Sequence, residues 1–401
     1  MIPLKTIEQA KSTLELVVSK TPFTFAPICS QQFCADVYLK TENLQLTGSF
    51  KLRGAFNKIA TIIKENKNAK IIAASAGNHA QGVAFAAKYF GVNATIVMPE
   101  ATPLTKISGV KSFGAEVILF GANYDEAYLY ATNLANEQNL TFIHPFADDL
   151  VIAGQGTIAL EMLEMVPDLD FIVVPIGGGG LISGVASAAK QINPSVKIIG
   201  VTASGAPAMR ESFEAKQPID STSVRTIADG IAVRDTNPKM LDLVLELVDK
   251  IVEVEDKEIA NAILFLLEKQ KIVVEGAGAV AMAALMHKKF DFNDKKVGVI
   301  LSGGNIDVTM LSLIIEKGLV KSARKMNLIV TLIDKPGSLM RLTEIFTSCS
   351  ANIVQIDYDR HSVKLDFGDA NIIISLETKG PEHQEMIKKQ LREAGYKFKE
   401  L

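Results

Sequence analysis

FIVVPIGGGGLISGVASAAKQI, residues 171–192, decides the fold. It opens with an unbroken apolar run, passes through four consecutive glycines, and continues as an alanine-rich helical stretch. A strand that is apolar at every position must be buried on both faces, which a parallel sheet covered by helices provides. The same pattern recurs outward from this stretch. IIAASAGNHAQGVAFAAKYF (71–90), ATIVMPEATPLTKISGVKSFG (94–114), EVILFGANYDEAYLYATNLANEQ (116–138) and VGVILSGGNIDVTMLSLIIEKG (297–318) each run from an apolar strand through a turn into a helix. The spacing therefore predicts an α/β fold with mostly parallel sheets from about Ala35 to Met310. In such folds ligands lie beyond the carboxyl ends of the strands, so the turns are where chemistry belongs.

The composition shifts near Lys317. EKGLVKSARKMN (316–327) is polar and basic and reads as a linker, taken as 317–326. After it, LIVTLI (328–333) is a strand and DKPGSL (334–339) a turn into a helix. NIVQIDYD (352–359) and ANIIISLE (370–377) are strands, EHQEMIKKQLREAG (382–395) is a helix, and YKFKEL (396–401) is a last strand. This is a β-α-β-β-α-β order, the ferredoxin-like arrangement. The expected division is 1–316, a linker 317–326, and 327–401.

The 401 residues are 48% hydrophobic and 22% charged, with a net charge of -3. That balance offers no electrostatic case for nucleic acid or an anionic membrane. No run is long and apolar enough to span a bilayer. The first residues carry no apolar block leading to a cleavage site, so a cytoplasmic protein is expected. Three cysteines, Cys29, Cys34 and Cys349, suit a reducing compartment and form no zinc spacing. The five histidines are scattered, and no metal site is expected.

In QLTGSFKLRGAF (45–56), Ser49 reads as an N-cap, placing Lys51 in the first turn of a helix. The helix dipole and nearby Arg53 both disfavour an ammonium there. A neutral lysine amine attacks aldehydes. Alone, this stretch also fits a solvated surface lysine, the commoner case. Gly177–Gly180 leave backbone N–H groups uncovered at a helix start, a place for a phosphate, although a ligand-free tight turn has the same sequence. SAGNHAQG (75–82) is a similar turn, able to bind a carboxylate or a phenolic oxygen through Ser75, Asn78 and its amides. Its His79 reads as a base or, more commonly, as a structural histidine. Ser302 in SGGN (302–305) offers one hydrogen bond, and Glu275 in VVEGAGA (273–279) is an acid in an apolar setting.

Together, GSFKLRGA, SAGNHAQG, AGQGTIALE, GGGGLISG, ADGIAV, EGAGA and LSGGN, in this order, resemble the threonine dehydratase (threonine ammonia-lyase) family of fold type II pyridoxal-phosphate enzymes. The resemblance covers about residues 5–320, and the region from Asn327 resembles the amino-acid-binding ACT domain through DKPGSL. It implies two open, mostly parallel α/β subdomains that bind pyridoxal phosphate. Lys51 would hold the cofactor as a Schiff base and move protons. Phe50 would pack on the ring, Asn78 would meet its oxygen, Ser302 its nitrogen, and Glu275 would lie close by. Gly177, Gly178, Gly179, Gly180 and Leu181 would bind the phosphate. The turn Ser75, Ala76, Gly77, Asn78 and His79 would hold the substrate carboxylate.

The implied reaction is deamination of threonine to 2-oxobutanoate and ammonia, with serine to pyruvate beside it, in isoleucine synthesis or threonine breakdown. A homo-oligomer, dimer or tetramer, and an amino-acid effector at the C-terminal domain are also implied. Serine racemases resemble the chain too, but carry a second serine where Ala76 stands, and acids where Thr202 and Ala208 stand. Racemisation and a divalent metal are therefore not expected. A β-replacement enzyme and a non-catalytic amino-acid sensor are the other readings.

Overall fold

The structure, a computed structural model, describes every residue of the chain except Leu16 and Lys364. It divides into two units, Met1–Asp307 and Val308–Leu401. No helix among the described residues is long and apolar enough to cross a membrane.

The first unit holds two sheets. One has six strands in the order Phe23–Phe25, Asp36–Lys40, Lys296–Ile300, Phe171–Pro175, Lys197–Ala203 and Lys250–Val254. All neighbours are parallel except the first pair. The other has four parallel strands in the order Glu116–Leu119, Ala94–Met98, Ile71–Ala74 and Thr141–Phe142. These are the two expected α/β subdomains. The chain leaves the larger one after Lys40 and returns through the helix Asp149–Met165, so the smaller one is an insertion. Each has its own core. Ile172, Val174, Ile182 and Ile198 are buried in the larger, and Ile71, Ala73, Val83 and Ile96 in the smaller. Continuous burial of the central strands is why their sequences read as unbroken apolar runs.

The helix Asp149–Met165 starts where the Asp148 carboxylate accepts from the N–H groups of Leu150 and Val151. It crosses the helix Lys51–Glu65 at close range. A Cβ added at Gly154 would lie 2.6 Å from the Arg53 carbonyl oxygen and 2.7 Å from the Gly54 Cα. Only two glycines facing each other permit this approach.

In the second unit a helix, Val308–Lys321, precedes the strand Lys325–Ile333. The stretch expected as a linker, 317–326, is thus mostly regular structure, because GLVK continues the apolar-polar helical rhythm that precedes it. The β-α-β-β-α-β order follows, and its four antiparallel strands lie in the order Asn352–Asp359, Asp369–Glu377, Lys325–Ile333, Lys397–Glu400. The two inner strands alternate in burial. Leu328, Val330, Ile372 and Ile374 face Leu342 and Phe346 of one helix and Ile387 and Leu391 of the other. This half-buried sheet contrasts with the fully buried strands of the first unit.

Candidate active site

Lys51 is the first residue of the helix Lys51–Glu65, but Ser49 is not its cap. The backbone already turns helical at Phe50 (φ -58°, ψ -20°), which leaves Ser49 fully buried in a bridge to Gly303 with no hydrogen bond at its Oγ. Arg53 also differs from expectation. Residues two apart on a helix face different ways. Its guanidinium is buried against Glu42 and Glu161, so two carboxylates neutralise it. Burial itself lowers the Lys51 amine from 10.5 to about 8, and the nearby Glu275 carboxylate offsets part of the shift. Lys51 Nζ donates to the Pro145 carbonyl at 3.1 Å and sits 5.3 Å from the Phe50 ring centroid.

The other expected residues converge on this amine. The Phe50 N–H donates to the Ser302 carbonyl at 3.1 Å. Ser302 lies just past the strand Lys296–Ile300, its Oγ donating to the Ala277 carbonyl at 3.3 Å. Ser75, Ala76 and Gly77 form the turn after Ile71–Ala74, and Asn78 and His79 open the helix Asn78–Phe90. The Ser75 Oγ accepts from the Gly77 N–H at 3.1 Å. Gly82 brings this helix against the first turn of the Lys51 helix, where an added Cβ would be 3.2 Å from the Lys51 carbonyl.

Asn78 Nδ2 donates to Glu275 Oε1 at 2.7 Å, and Asn78 Oδ1 accepts from Asn305 at 2.8 Å. His79 is buried, its Nε2 2.9 Å from the Ile143 carbonyl. Burial and the Lys51 charge push it down to about 3, so its imidazole is neutral. It is not a base at ordinary pH.

Glu275 caps the helix Gly276–Met286 and is 4% exposed. Burial and the neighbouring Asp229 raise its carboxyl from 4.5 to about 7 against the lowering effect of Asn78 and Lys106. The consequence for stability has a definite sign. A carboxyl raised in the folded state stabilises fully below about pH 4.5, and that stability is lost as the pH rises through about 7. Glu275→Gln keeps an acceptor for Asn78 and removes this loss. Thermal melts are expected to show the variant about 3 °C or more above the parent at pH 8 and level with it at pH 4. Equal melting differences at both pH values would contradict the assignment.

The glycine turn lies beyond Phe171–Pro175, with Gly180 and Leu181 in the helix Gly180–Ile192. Gly179 has φ +91°, a conformation glycine adopts without strain. A Cβ at Gly178 would come 2.5 Å from the Phe146 ring, and one at Gly180 would lie 2.8 Å from Phe146 Cβ. Phe146 follows Pro145, which accepts from Lys51, so the turn and the amine share one wall. Among the described residues, the N–H groups of Gly177–Leu181 make no hydrogen bond to the protein.

A protein family described as pyridoxal-phosphate dependent enzyme matches residues 14–303. The chain belongs to that family. An L-threonine ammonia-lyase of Thermotoga maritima is 47% identical over 399 residues, 100% of this chain and 99% of the relative. The processed form of threonine deaminase isoform 2 from Solanum lycopersicum aligns with TM-score 0.74 and 36% identity, covering 78% of this chain and 87% of its own. A maize serine racemase aligns with TM-score 0.74 and 36% identity, covering 79% and 98%.

The site of this pyridoxal-phosphate dependent enzyme fits its cofactor. Five N–H donors without acceptors at a helix start call for an anion. A lysine lowered to about 8 beside them suits an aldehyde. Several residues of the site were not read from the sequence. Asn305, which orients Asn78, stood in the SGGN motif, and Asp229 in ADGIAV. His144, Pro145 and Phe146 carried no motif. His144 Nδ1 accepts from the Phe146 and Ala147 N–H groups at 3.2 and 2.8 Å and fixes the loop that holds the Pro145 carbonyl. Ion pairs join the subdomains around the site, among them Lys106–Asp229 at 2.7 Å and Arg234–Asp125 at 2.6 Å. Among the described residues, no group of three acids, histidines or cysteines is arranged for a metal.

Proposed function

We propose that this enzyme deaminates L-threonine to 2-oxobutanoate and ammonia, and L-serine to pyruvate, with Lys51 as its base. The observation that carries this reading is the lowered amine of Lys51 on one wall with the orphaned amides of Gly177–Leu181. The 47% identity to an L-threonine ammonia-lyase over 100% of this chain supports the substrate.

Bound pyridoxal phosphate supplies an electron sink for the carbanion left by α-proton removal. The chain's residues do the rest. The amides of Gly177–Leu181 would hold the phosphate, and Phe50 would lie against the ring. Lys51 would hold the cofactor through its Nζ and, once free of it, would accept the α-proton there. Asn78, fixed by Glu275 and Asn305, would present its amide to the ring oxygen. The Ser75–His79 turn binds the substrate carboxylate, and its neutral His79 adds no competing charge. A Ser302 hydroxyl at the ring nitrogen would not keep a proton there as an aspartate would, which favours departure of the β-hydroxyl, protonated and leaving as water, over a long-lived carbanion. Ala76 offers no second base, so elimination exceeds racemisation.

The test is direct. Purified enzyme with L-threonine is expected to release 2-oxobutanoate and ammonia in equal amounts, with little inversion at Cα. Inverted amino acid without oxo acid would sink the reading.

The domain 327–401, taken as a regulatory unit apart from the catalytic 1–316, is proposed to bind an amino-acid effector beside DKPGSL in a cytoplasmic homo-oligomer. Its ferredoxin-like order and its Gly337 turn (φ +84°) support this. An effector acts only through different affinity for two states. Isoleucine, valine, threonine or serine is expected to shift the kinetics of the full chain. If none binds or alters the rate, the domain serves assembly alone.

A further inference from the structure

Four charged side chains lie buried behind the Lys51 helix. Lys40 ends a strand of the larger sheet, Glu42 follows it, Glu161 sits on the helix Asp149–Met165, and Arg53 is the third residue of the Lys51 helix. Lys40 and Glu42 are 0% exposed, Arg53 1% and Glu161 8%. Arg53 Nε and Nη2 each donate to Glu42 at 2.8 Å, and Nη1 and Nη2 donate to Glu161 at 2.7 and 3.0 Å. Nη1 also donates to Thr157 Oγ1 at 3.1 Å, so all five guanidinium N–H groups are used. Lys40 donates to Glu161 and to the Thr21 carbonyl.

We propose that Arg53, clamped by Glu42 and Glu161 with Lys40, is a positioning residue that fixes the Lys51 amine relative to the Gly177–Gly180 turn. The inference rests on the reading of Lys51 as the base and deepens it. The Lys51 helix belongs to the smaller subdomain, whose core takes Leu52, Phe56 and Ile59. The glycine turn belongs to the larger one. The amine and the phosphate turn are therefore carried by different cores, and the clamp fastens one to the other. Stability alone does not call for four buried charges, since well-packed apolar residues often replace such clusters without loss. Nor does field strength, because two cations and two anions cancel. What a planar fork held by two carboxylates provides is a fixed direction, which a lysine's flexible point charge cannot reproduce.

The test uses the full-length enzyme with bound pyridoxal phosphate. Arg53→Lys keeps the charge and loses the fork. It is expected to lower kcat for threonine about 10- to 100-fold per bound cofactor, as a misplaced reacting group does, with KM within about threefold. The circular dichroism of the cofactor band should weaken in parallel. Glu161→Asp, which withdraws one carboxylate by a methylene, carries the same expectation and serves if Arg53→Lys does not fold. A folded variant of either kind with the parental kcat, whatever its melting temperature, overturns the clamp. A Lys51→Ala enzyme that still deaminates threonine overturns the reading beneath it, so the two failures are distinct.

Discussion

Lys51→Ala is expected to lower threonine deamination by about 10⁴-fold or more while the protein stays folded. Lys51 is half-buried, and its amine makes one hydrogen bond, to the Pro145 carbonyl. Removing it leaves that carbonyl beside the open site, so the cost to stability is small. The cost to chemistry is large, because the same nitrogen is proposed to tether the cofactor and to accept the α-proton. No nearby group replaces it. His79 is pushed down to about 3 by burial and by Lys51, and its Nε2 is engaged with Ile143. His144 is lowered to about 4 for the same two reasons, and its Nδ1 accepts two backbone N–H groups. Rates per folded molecule, with borohydride trapping of the cofactor on the parent and not on the variant, measure the effect. Parental turnover by the variant would remove Lys51 from the mechanism.

The second large effect lies away from the chemistry. Gly154→Ala places a Cβ within 2.6–2.8 Å of the Arg53 carbonyl carbon and oxygen and the Gly54 Cα. These are backbone atoms, which cannot swing aside. The two helices must separate, and the expected destabilisation is about 3 kcal/mol or more, seen as a lower midpoint in urea. Separation also withdraws Arg53 from Glu161 and moves the first turn of the Lys51 helix, so the folded fraction should turn over more slowly. Gly109→Ala is the contrasting case. Gly109 lies in the helix Leu104–Lys111, and its added Cβ would meet only Gln81 Nε2, at 3.8 Å. Helix propensity then favours alanine by up to about 1 kcal/mol. If Gly154→Ala proved neutral, the close approach of the two helices would be wrong.

Much of this was legible in the sequence because its signals are local. Apolar runs ending in glycine turns carry the strand-to-helix order, and the ferredoxin-like order follows from element sequence alone. Sequence and structure part where a neighbour in sequence is not a neighbour in space. Arg53 is two residues from Lys51 and turns its charge elsewhere. Ser49 has a capping residue's chemistry, but the chain had already turned helical one residue later, so the hydroxyl was buried instead. Pro145, Phe146 and Asp229 reach the site only through the packing of one subdomain on the other, which no spacing of residues reports. The end of the Val308–Lys321 helix carries lysines that resemble a linker's, while its helical rhythm continues through them.

The order of strands in the larger sheet has a consequence for biosynthesis. Its inner strand Lys296–Ile300 lies between Asp36–Lys40 and Phe171–Pro175, yet it is the last of the six to leave the ribosome. The inserted four-stranded subdomain is complete far earlier. A nascent chain therefore holds Lys51 and the SAGNHAQG turn in a finished lobe while the sheet that must receive them has a missing centre. Glu275 and Ser302 arrive with that late segment. A chain truncated before Lys296 exposes two unpaired strand edges at once, those of Asp36–Lys40 and Phe171–Pro175.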